Sequence, residues 1–340
     1  MKVKDIFSRI IIITFLIITT LALSLFLFED NKEVEKSVVT IEIVPGTSVK
    51  EISFLLAEND VVSLPYLFYI TTILWGVDKN IIAGEYRFET NLNYREVVQN
   101  LTKGPDAKIY QFIIPEGFTI EQIYKRLDEF EITDVNKFYQ LAKNGAFDHD
   151  EYDFLKYNPL PSLEGYLFPK TYNLKENPEP EDIIEIFLKQ FRKEINKLGV
   201  DVEGENNLNL HQIITIASLI EKEAKITEER EIISGVIYNR LQRNMPLQID
   251  ASVQYAMGKI KKLSNDDLNY PSPYNTYLYE GLPPGPICSP GIESIKAAFH
   301  PKQVDYLYYV LYDKEGHHKF TKTYQEFLEA KKDAKRRKVY

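Results

Sequence analysis

Residues 213–224, IITIASLIEKEA, are the stretch from which both the fold and a candidate site can be inferred. At about 100° per residue, their apolar side chains share one helical face, with Glu221 and Glu223 on its opposite edges. Apolar surroundings disfavour the charged form of a carboxyl group, so its pKa rises and it can act as a general acid near neutral pH. The stretch therefore predicts an amphipathic helix that carries a candidate catalytic glutamate.

Glu221 is the stronger candidate of the two glutamates. The residues one helical turn away from it are small and leave room for a substrate: Ala217, Ser218 and Ala224. Glu223 instead has the bulkier Leu219 and Ile220 above it. An ordinary pair of boundary glutamates, each beside a lysine, is the alternative, and this segment alone leaves both interpretations open.

The N-terminal part of the chain predicts a membrane anchor. Residues 10–28, IIIITFLIITTLALSLFLF, carry no charge over 19 residues, close to the roughly 20 that a helix needs to cross hydrocarbon. Basic residues precede this run and acidic residues follow it, which favours a cytoplasmic tail over 1–9. A cleaved signal peptide is the alternative, but the run is long for one and no small-x-small cleavage motif precedes Glu29. We expect a single-pass protein of the cell (inner) membrane, with residues 29–340 outside the cytoplasm.

The composition sets limits on the function. With 340 residues, 44% of them hydrophobic, and with 23 Tyr and 19 Phe, the chain can build more than one core and offer stacking surfaces. Its net charge of −9 argues against nucleic acid as the principal partner. Cys288 is the only cysteine and is interpreted as structural, and the five histidines lack metal-ligand spacing. We predict no metal and no cofactor.

Residues 38–105 are predicted to form a small subdomain. A strand at 38–44, a helix from about 48 to 58, a helix after Pro65 and a strand at 81–88 give the order β-α-α-β. This order resembles a LysM module, a fold that binds glycans containing N-acetylglucosamine. A simple spacer is the alternative.

A partial internal echo opens the next region. IVPGTSVKEI at 43–52 is matched by IIPEGFTIEQI at 113–123, with one inserted residue in the second copy. Both copies predict a strand, a turn and a capped helix, which indicates a reused supersecondary unit rather than a repeat array. We assign residues 106–207 to a connecting α+β region. Its aromatic segment PSLEGYLFPKTY at 161–172 is expected to form a cleft wall.

Residues 208–340 are predicted to form a mixed α+β catalytic domain. It begins with the helix of Glu221 and continues with a second helix at 228–241. The many Pro and Gly residues of 272–301 specify a long loop of the kind that is usually functional. A strand at 305–312 with a hairpin return follows. The fold class expected for the whole chain is α+β.

Eight ordered blocks of sequence carry a family resemblance. They are EGYLFP, ASLIEKEA, YNRL, MPLQIDASVQYAMG, SPYNTY, GLPPGPI, SPG and KAAFHP. In this order they closely resemble the YceG/MltG family of endolytic murein transglycosylases, and the predicted anchor and LysM-like unit agree with that family. The resemblance covers nearly the whole chain and rests on eight blocks rather than on one short pattern.

The resemblance implies a reaction and partners. The family cleaves the β-1,4 bond between N-acetylmuramic acid (MurNAc) and N-acetylglucosamine (GlcNAc) in nascent glycan strands. The step is a lyase reaction without water; it leaves a 1,6-anhydro-MurNAc end and terminates strand elongation. The family's catalytic glutamate corresponds here to Glu221. Implied partners are peptidoglycan glycan strands and the synthases that make them, the penicillin-binding proteins.

Five further residues are predicted to orient the substrate, with scaffolding of turns and loops as the alternative: Glu164, Gln248, Asp250, Tyr274 and Asn275. Three positions depart from the family's pattern: Lys170, Ser289 and Phe327. None of them falls in the EKE block, so they bear on secondary contacts more than on the reaction.

Two other functions compete with the lyase. One is a non-catalytic scaffold that tethers synthesis proteins to the wall through its LysM-like unit; the EKE block argues against it. The other is a glycoside hydrolase that uses Glu221 and Asp250 as a carboxylate pair and adds water. Product chemistry separates the enzymes, because a hydrolase leaves a reducing end and the lyase leaves an anhydro end.

Overall fold

The computed structural model describes residues 12–17, 19, 37–105, 108–145, 152–200 and 208–339. These residues form helices and short antiparallel strand pairs, which confirms the α+β class. The chain divides into two compact units, Met1–Ala107 and Lys108–Tyr340. Each unit has a hydrophobic core of its own.

Residues 37–105 of the first unit form five helices and strands: β1 (Val38–Ile43), α1 (Val49–Glu58), α2 (Pro65–Leu74), β2 (Gly84–Glu89) and α3 (Tyr94–Lys103). β1 and β2 pair antiparallel, and their inward side chains pack with those of the helices over Leu56, Phe68 and Leu101. The first four elements have the expected order, whereas α3 was not foreseen. That this unit is LysM-like stays a prediction.

Most of the apolar run 10–28 lies outside the described residues. Within the described ranges, no helix is both long enough and apolar enough to span a bilayer. The anchor therefore stays a prediction from the sequence.

Besides short 3₁₀ turns, the described residues of the second unit form twelve α-helices and strands: β3 (Ile109–Ile113), α4 (Ile120–Asp128), α5 (Val135–Asn144), β4 (Thr171–Lys175), α6 (Pro180–Leu198), α7 (Leu210–Glu223), α8 (Arg230–Gln242), α9 (Asp250–Met257), α10 (Ile292–Phe299), β5 (Tyr308–Leu311), β6 (His318–Thr321) and α11 (Tyr324–Arg336). β3 pairs with β4, and β5 pairs with β6, both antiparallel. The expected helix at 228–241 is α8 after a short 3₁₀ turn, and the strand expected at 305–312 is the shorter β5.

The two copies of the internal echo fold alike. Ser48 and Thr119 each accept a hydrogen bond from the backbone three residues on, and Glu51 and Gln122 complete the two capping boxes. In both copies a glycine with positive φ makes the turn after the strand. The echo is therefore a repeated strand, turn and capped helix.

Helix α7 is buried far more completely than an amphipathic helix. From Leu210 to Ile220 only Gln212 has appreciable exposure. Thr215 and Ser218 are tolerated in the core because their hydroxyls donate to backbone carbonyls one turn earlier, at 2.8 and 2.7 Å. The expectation of a single apolar face is thus wrong. Only the last turn, which carries both glutamates, emerges from the core.

The aromatic segment 161–172 does not form a cleft wall. Its central residues, 163–169, are all buried. Tyr166 packs against Phe154 and Phe191, and its hydroxyl lies 3.0 Å from Nδ1 of His211 on α7. The segment therefore fills the core beside α7, because its rings bury more apolar area there than an open cleft would allow.

Candidate active site

Glu221 lies in the last turn of α7, where that helix meets the beginning of α10. Its side chain is 8% exposed. Oε2 accepts two hydrogen bonds, from the backbone N–H of Gly291 at 3.1 Å and from the hydroxyl of Ser294 at 2.7 Å. Gly291 is the N-cap of α10, so the helix dipole also favours an anion here. The carboxylate is thus held in one orientation through Oε2.

Arg230 approaches the other carboxylate oxygen. Its guanidinium nitrogen lies 4.0 Å from Oε1 of Glu221, and its Nε donates to Ser294 Oγ at 3.0 Å. Ser294 therefore accepts from Arg230 while it donates to Glu221. Among the described residues, Oε1 has no hydrogen-bond partner. The site thus provides one fixed oxygen and one oxygen next to a cation.

Glu116 is a second carboxylate at this site. Gly291 packs so closely against the Glu116 carboxylate that it leaves no room for a Cβ. Burial raises the pKa of Glu116, the negative charge of Glu221 raises it further, and Arg230 opposes both effects. Although Glu116 is close enough to Glu221 for the two charges to interact, Glu116 is an exposed residue. Glu116 is therefore the solvent-accessible carboxylate beside Glu221.

Backbone hydrogen bonds fasten the loop of Glu116 to the loop before α10. Gly117 N–H donates to Ser289 C=O at 2.8 Å, and Ser289 N–H donates to Phe118 C=O at 2.7 Å. Lys222 Nζ also donates to Gly117 C=O at 2.8 Å. The long Pro- and Gly-rich loop therefore has a positioning role, since it carries Gly291 to Glu221.

The surroundings of Glu221 are polar, which corrects the expectation of an apolar pocket. The small residues that were expected to make room, such as Ala217 and Ser218, are themselves buried in the core. Ser218 Oγ accepts from Ile287 N–H at 3.0 Å and so holds the loop rather than a substrate. Of the two carboxylates at this site, Glu116 is the exposed one.

Glu223 belongs to a separate cluster. Burial raises its pKa to about 7, and the charge of Asp250 adds to that rise, although the hydroxyl of Tyr309 donates to Glu223 at 3.1 Å and opposes it. Asp250 is exposed and accepts from the hydroxyl of Tyr277 at 2.6 Å. A carboxyl group with the raised pKa expected of a general acid is therefore present at Glu223. The carboxylate near Asp250 is Glu223, whereas the carboxylate near Glu221 is Glu116.

Glu164 is buried and bonded within the protein. Its Oε1 accepts from the N–H of Ile120 at 3.0 Å, and its Oε2 accepts from the hydroxyl of Tyr255 at 3.2 Å, with Lys143 3.6 Å away. Burial raises its pKa against these contacts. This geometry supports the scaffolding alternative, because Glu164 caps the start of α4. Its predicted contact with substrate has no further support here.

The other predicted orienting residues fall into two groups. Asn275 is fully buried and uses its amide within its own loop, donating to the carbonyls of Leu268 and Tyr270 at 3.0 and 2.9 Å. Tyr274 is half-buried against Tyr255, with ring centroids 5.0 Å apart. The contacts of Asn275 and Tyr274 thus support the scaffolding alternative. Gln248 is exposed, at the entry to α9 next to Asp250, and remains available to a ligand.

Cys288 and the acidic groups do not form a metal site in the described part of the chain. No three His, Cys, Asp or Glu side chains there lie close enough together to hold an ion. The Cys288 thiol is buried and donates to Ser218 C=O at 3.4 Å, and burial raises its pKa. Its contacts are those of a structural residue.

Sequence reasoning missed three residues of the site: Glu116, Arg230 and Ser294. A signal for Glu116 was present, because it is the residue inserted in the second copy of the echo, between the proline and the glycine. Arg230 and Ser294 carry no comparable signal, since their approach to Glu221 depends on the packing of α8 and α10 against α7.

Comparisons with known proteins give a consistent result. A profile of the YceG-like family matches residues 41–333. An endolytic murein transglycosylase of Bacillus subtilis (strain 168) is 35% identical over 316 residues, which are 90% of this chain and 87% of that protein. One from Streptococcus pneumoniae (strain D39) is 32% identical over 83% of this chain, which spans 55% of that longer relative. The crystal structure of a yceG-like protein from Listeria monocytogenes superposes with a TM-score of 0.56 at 32% identity, covering 87% of this chain and 99% of that one.

Proposed function

This chain belongs to the YceG-like family, and we propose that it is an endolytic murein transglycosylase, a lyase that acts on peptidoglycan. The observation that carries the proposal is the carboxylate of Glu221, fixed by α10 through one oxygen and faced by Arg230 at the other. We propose Glu221 as the catalytic acid and base. The bond cleaved is the β-1,4 link between MurNAc and GlcNAc in nascent strands.

The first step is proton donation. Protonated Glu221 gives its proton to the glycosidic oxygen while the bond from that oxygen to C1 of MurNAc breaks, and positive charge develops at C1. Glu221 is left as a carboxylate. Arg230, 4.0 Å from Oε1, and the donors to Oε2 stabilise the negative charge that Glu221 then carries.

The second step closes the anhydro ring. The Glu221 carboxylate takes the proton of the C6 hydroxyl of the same MurNAc, and O6 forms a bond to C1. This attack is intramolecular and so has a high effective concentration. Glu221 returns to its protonated form, no water is consumed, and the product is a 1,6-anhydro-MurNAc end that stops strand elongation.

The proposed location is the extracytoplasmic side of the cell membrane, with residues 10–28 as a single-pass anchor. The support is the uncharged run of 19 residues and the charge asymmetry around it. In this position the enzyme would meet strands as penicillin-binding proteins extend them, so we propose those synthases as partners.

The test is mass spectrometry of the products that the full-length protein releases from uncrosslinked glycan strands. We expect internal anhydro-MurNAc ends from the unmodified protein and from Glu223→Gln, and none from Glu221→Gln. The two variants are matched, since both replace a carboxylate of the same helical turn by its isosteric amide. Cleavage by Glu221→Gln would contradict the assignment.

A second candidate function has one observation in its favour, the raised pKa of Glu223 beside Asp250. These two carboxylates would serve a hydrolase, with Glu223 as the acid. In that case Glu223→Gln abolishes cleavage and the unmodified protein leaves reducing ends. Strand binding without any cleavage would indicate the scaffold instead.

A further inference from the structure

Helix α2 presents an uncovered apolar face. None of its ten residues, PYLFYITTIL, is charged, whereas α1 and α3 carry three charged residues each. Five exposed side chains share one side of the helix at its 3.6-residue period: Tyr66, Leu67, Ile70, Ile73 and Leu74. Trp75 follows at the C-cap and is 47% exposed. Within the described residues of the first unit, the ring of Phe54 contacts Tyr66 edge-on, with ring centroids 5.1 Å apart, and the face is otherwise left uncovered.

Such a face calls for an occupant, because soluble domains rarely leave contiguous apolar patches of this kind without a binding role. Its chemistry resembles that of an interfacial helix. Tyr66 at one end and Trp75 at the other are the aromatic types enriched where membrane meets water. The ammonium of Lys50 lies 6.0 Å from the centre of the Tyr66 ring and places a cation at the edge of the face.

Hydrogen bonds place the start of α2 at the same end of the unit as the entry of the chain. The consecutive residues Thr90, Asn91 and Leu92 donate their N–H groups to the carbonyls of Ser37, Asp60 and Val61, at 2.9, 2.8 and 3.1 Å. Ser37 lies next to β1, and Val61 precedes α2 by four residues. The chain thus enters the unit beside the helix with the apolar face.

The distance to the proposed anchor is short. Nine residues, 29–37, separate the apolar run 10–28 from β1. Fully extended, nine residues reach only about 30 Å. The first unit is therefore confined near the bilayer surface if the run crosses it, and the end that carries the start of α2 is the tethered end.

We propose that the apolar face of α2 lies in the headgroup region of the membrane and makes the first unit a second, interfacial point of attachment. The proposal rests on the anchor in the proposed function. It commits to a lipid surface rather than to a second copy of the chain or to a glycan. An aromatic and aliphatic face whose only polar side-chain groups are the Tyr66 hydroxyl and the Trp75 indole N–H offers a sugar few hydrogen bonds.

Trp75, the only tryptophan in the chain, is a built-in reporter for the test. The full-length protein is reconstituted in vesicles of phospholipids brominated on their acyl chains and, in parallel, in the unbrominated lipids. In the unbrominated vesicles, we expect the emission maximum of Trp75 to lie at a shorter wavelength than that of a tryptophan in water. In the brominated vesicles, we expect the emission of Trp75 to be quenched. Flotation of the vesicles tests the anchor separately. Protein that does not float overturns the anchor and the inference together, whereas protein that floats with unquenched emission overturns the inference alone.

Two controls make the result specific to this face. The double variant Ile70→Glu/Leu74→Glu changes two exposed positions of the face, and it should restore the Trp75 emission in brominated vesicles while the protein still floats. Leu328→Glu changes an exposed leucine elsewhere and should leave the quenching of Trp75 intact. Moving the reporter to α3, as Trp75→Phe with Gln99→Trp, should give emission that bromine does not quench. Quenching of a tryptophan at residue 99 would overturn the proposal. A blue shift of the Trp75 emission that depends on the protein-to-lipid ratio, without quenching by bromine, would also overturn it, because that result is expected if a second copy of the chain covers the face.

Discussion

Ser294 connects the two groups that define the site, since it accepts from Arg230 and donates to Glu221. Replacing Ser294 by Ala removes both bonds and leaves the Gly291 N–H as the one remaining donor to Oε2 among the described residues. A hydrogen bond to a charged group contributes about 1.5–3 kcal/mol, so kcat should fall roughly ten- to a hundredfold with KM little changed. Steady-state release of anhydro-MurNAc ends measures the effect.

Ser289, in the loop that leads into α10, offers the matched control. Its hydroxyl is buried and has no hydrogen-bond partner among the described residues, so Ser289→Ala removes a group that stabilises nothing. Unequal effects of the two substitutions support the role of Ser294. A Ser294→Ala enzyme as active as Ser289→Ala would contradict it.

Glu223 makes stability depend on pH. Its pKa is raised from 4.5 to about 7 in the folded protein, so folding favours its protonated form. This contribution is fully present below pH 4.5 and is lost as the pH rises towards 7. Because Glu223 is partly exposed, we expect the free energy of unfolding to fall by on the order of 2 kcal/mol over this pH range. Urea unfolding at pH 4.5 and pH 7.5 should show a smaller difference for Glu223→Gln than for the unmodified protein.

Tyr309→Phe provides the opposite change. The hydrogen bond from Tyr309 lowers the pKa of Glu223, so its removal should extend the loss of stability to higher pH. Parallel pH profiles for all three proteins would contradict the assignment of this titration to Glu223.

Among individual residues, the sequence identified the helical turn that carries the site but not its environment. Glu221 and Glu223 do emerge together at the end of α7, as the pattern predicts. The two donors to Glu221 lie at the start of α10, and they follow Glu221 in the sequence by 70 and 73 residues. No local sequence pattern predicts contacts over such a separation. The one local signal for Glu116 is that it is the inserted residue of the second copy of the echo.

At the scale of elements, the packing of α7 against the loop before α10 depends on Gly165. Its φ is +88°, and a Cβ there would lie 2.5 Å from Cβ of Pro286 and 3.1 Å from a methyl group of Ile214 on α7. Gly165→Ala should therefore lower the free energy of unfolding by roughly 2–4 kcal/mol, from backbone strain and overpacking together. Urea titration measures it.

Gly199→Ala separates the two causes. Gly199 also has positive φ, +64°, but nothing lies within 4 Å of its would-be Cβ. This variant should lose only about 1 kcal/mol, the strain of a left-handed residue. Equal losses at both positions would mean that the contact with Pro286 and Ile214 is unimportant.

His211 connects α7 to the loop before α10 by a hydrogen bond. Its Nε2 lies 2.9 Å from Pro284 C=O, which can only accept, so Nε2 carries the hydrogen and Nδ1 accepts from the Tyr166 hydroxyl. Burial lowers the pKa of His211, which favours this neutral form. One histidine thereby joins the buried aromatic segment, the helix and the loop.

Elements with strong local signals were predicted well, and elements defined by tertiary packing were not. The capping boxes at Ser48 and Thr119 fixed two helix starts, because caps are determined by residues three apart. The burial of α7 and of residues 163–169 could not be inferred, because the sequence of a segment does not show how many other elements pack against it. The extra helix α3 was overlooked although Asn93 and Glu96 form a capping box there.

At the scale of the whole molecule, two separate cores predict two unfolding transitions. Leu101 lies in the core of the first unit and Leu188 in that of the second, and both are fully buried. Truncating each to Ala should cost roughly 2–5 kcal/mol and lower only the transition of its own unit. Calorimetry of the full-length variants checks this matched pair, and a shift of both transitions by either variant would contradict it.

Composition foretold more than one core, because 340 residues with 44% hydrophobic content exceed what a single core usually needs. It did not indicate which residues share a core. That assignment depends on contacts between distant segments, which the order of elements along the chain leaves open.

The bonds that hold Glu221 also set the order in which activity can arise during synthesis. Glu221 leaves the ribosome 70 residues before Gly291 and 73 before Ser294. A partly made or partly exported chain therefore has its acid but not the donors that orient it. In the proposed topology the enzyme therefore reaches full activity only after the last third of the chain has crossed the membrane and folded, and a chain still in transit cuts glycan strands poorly.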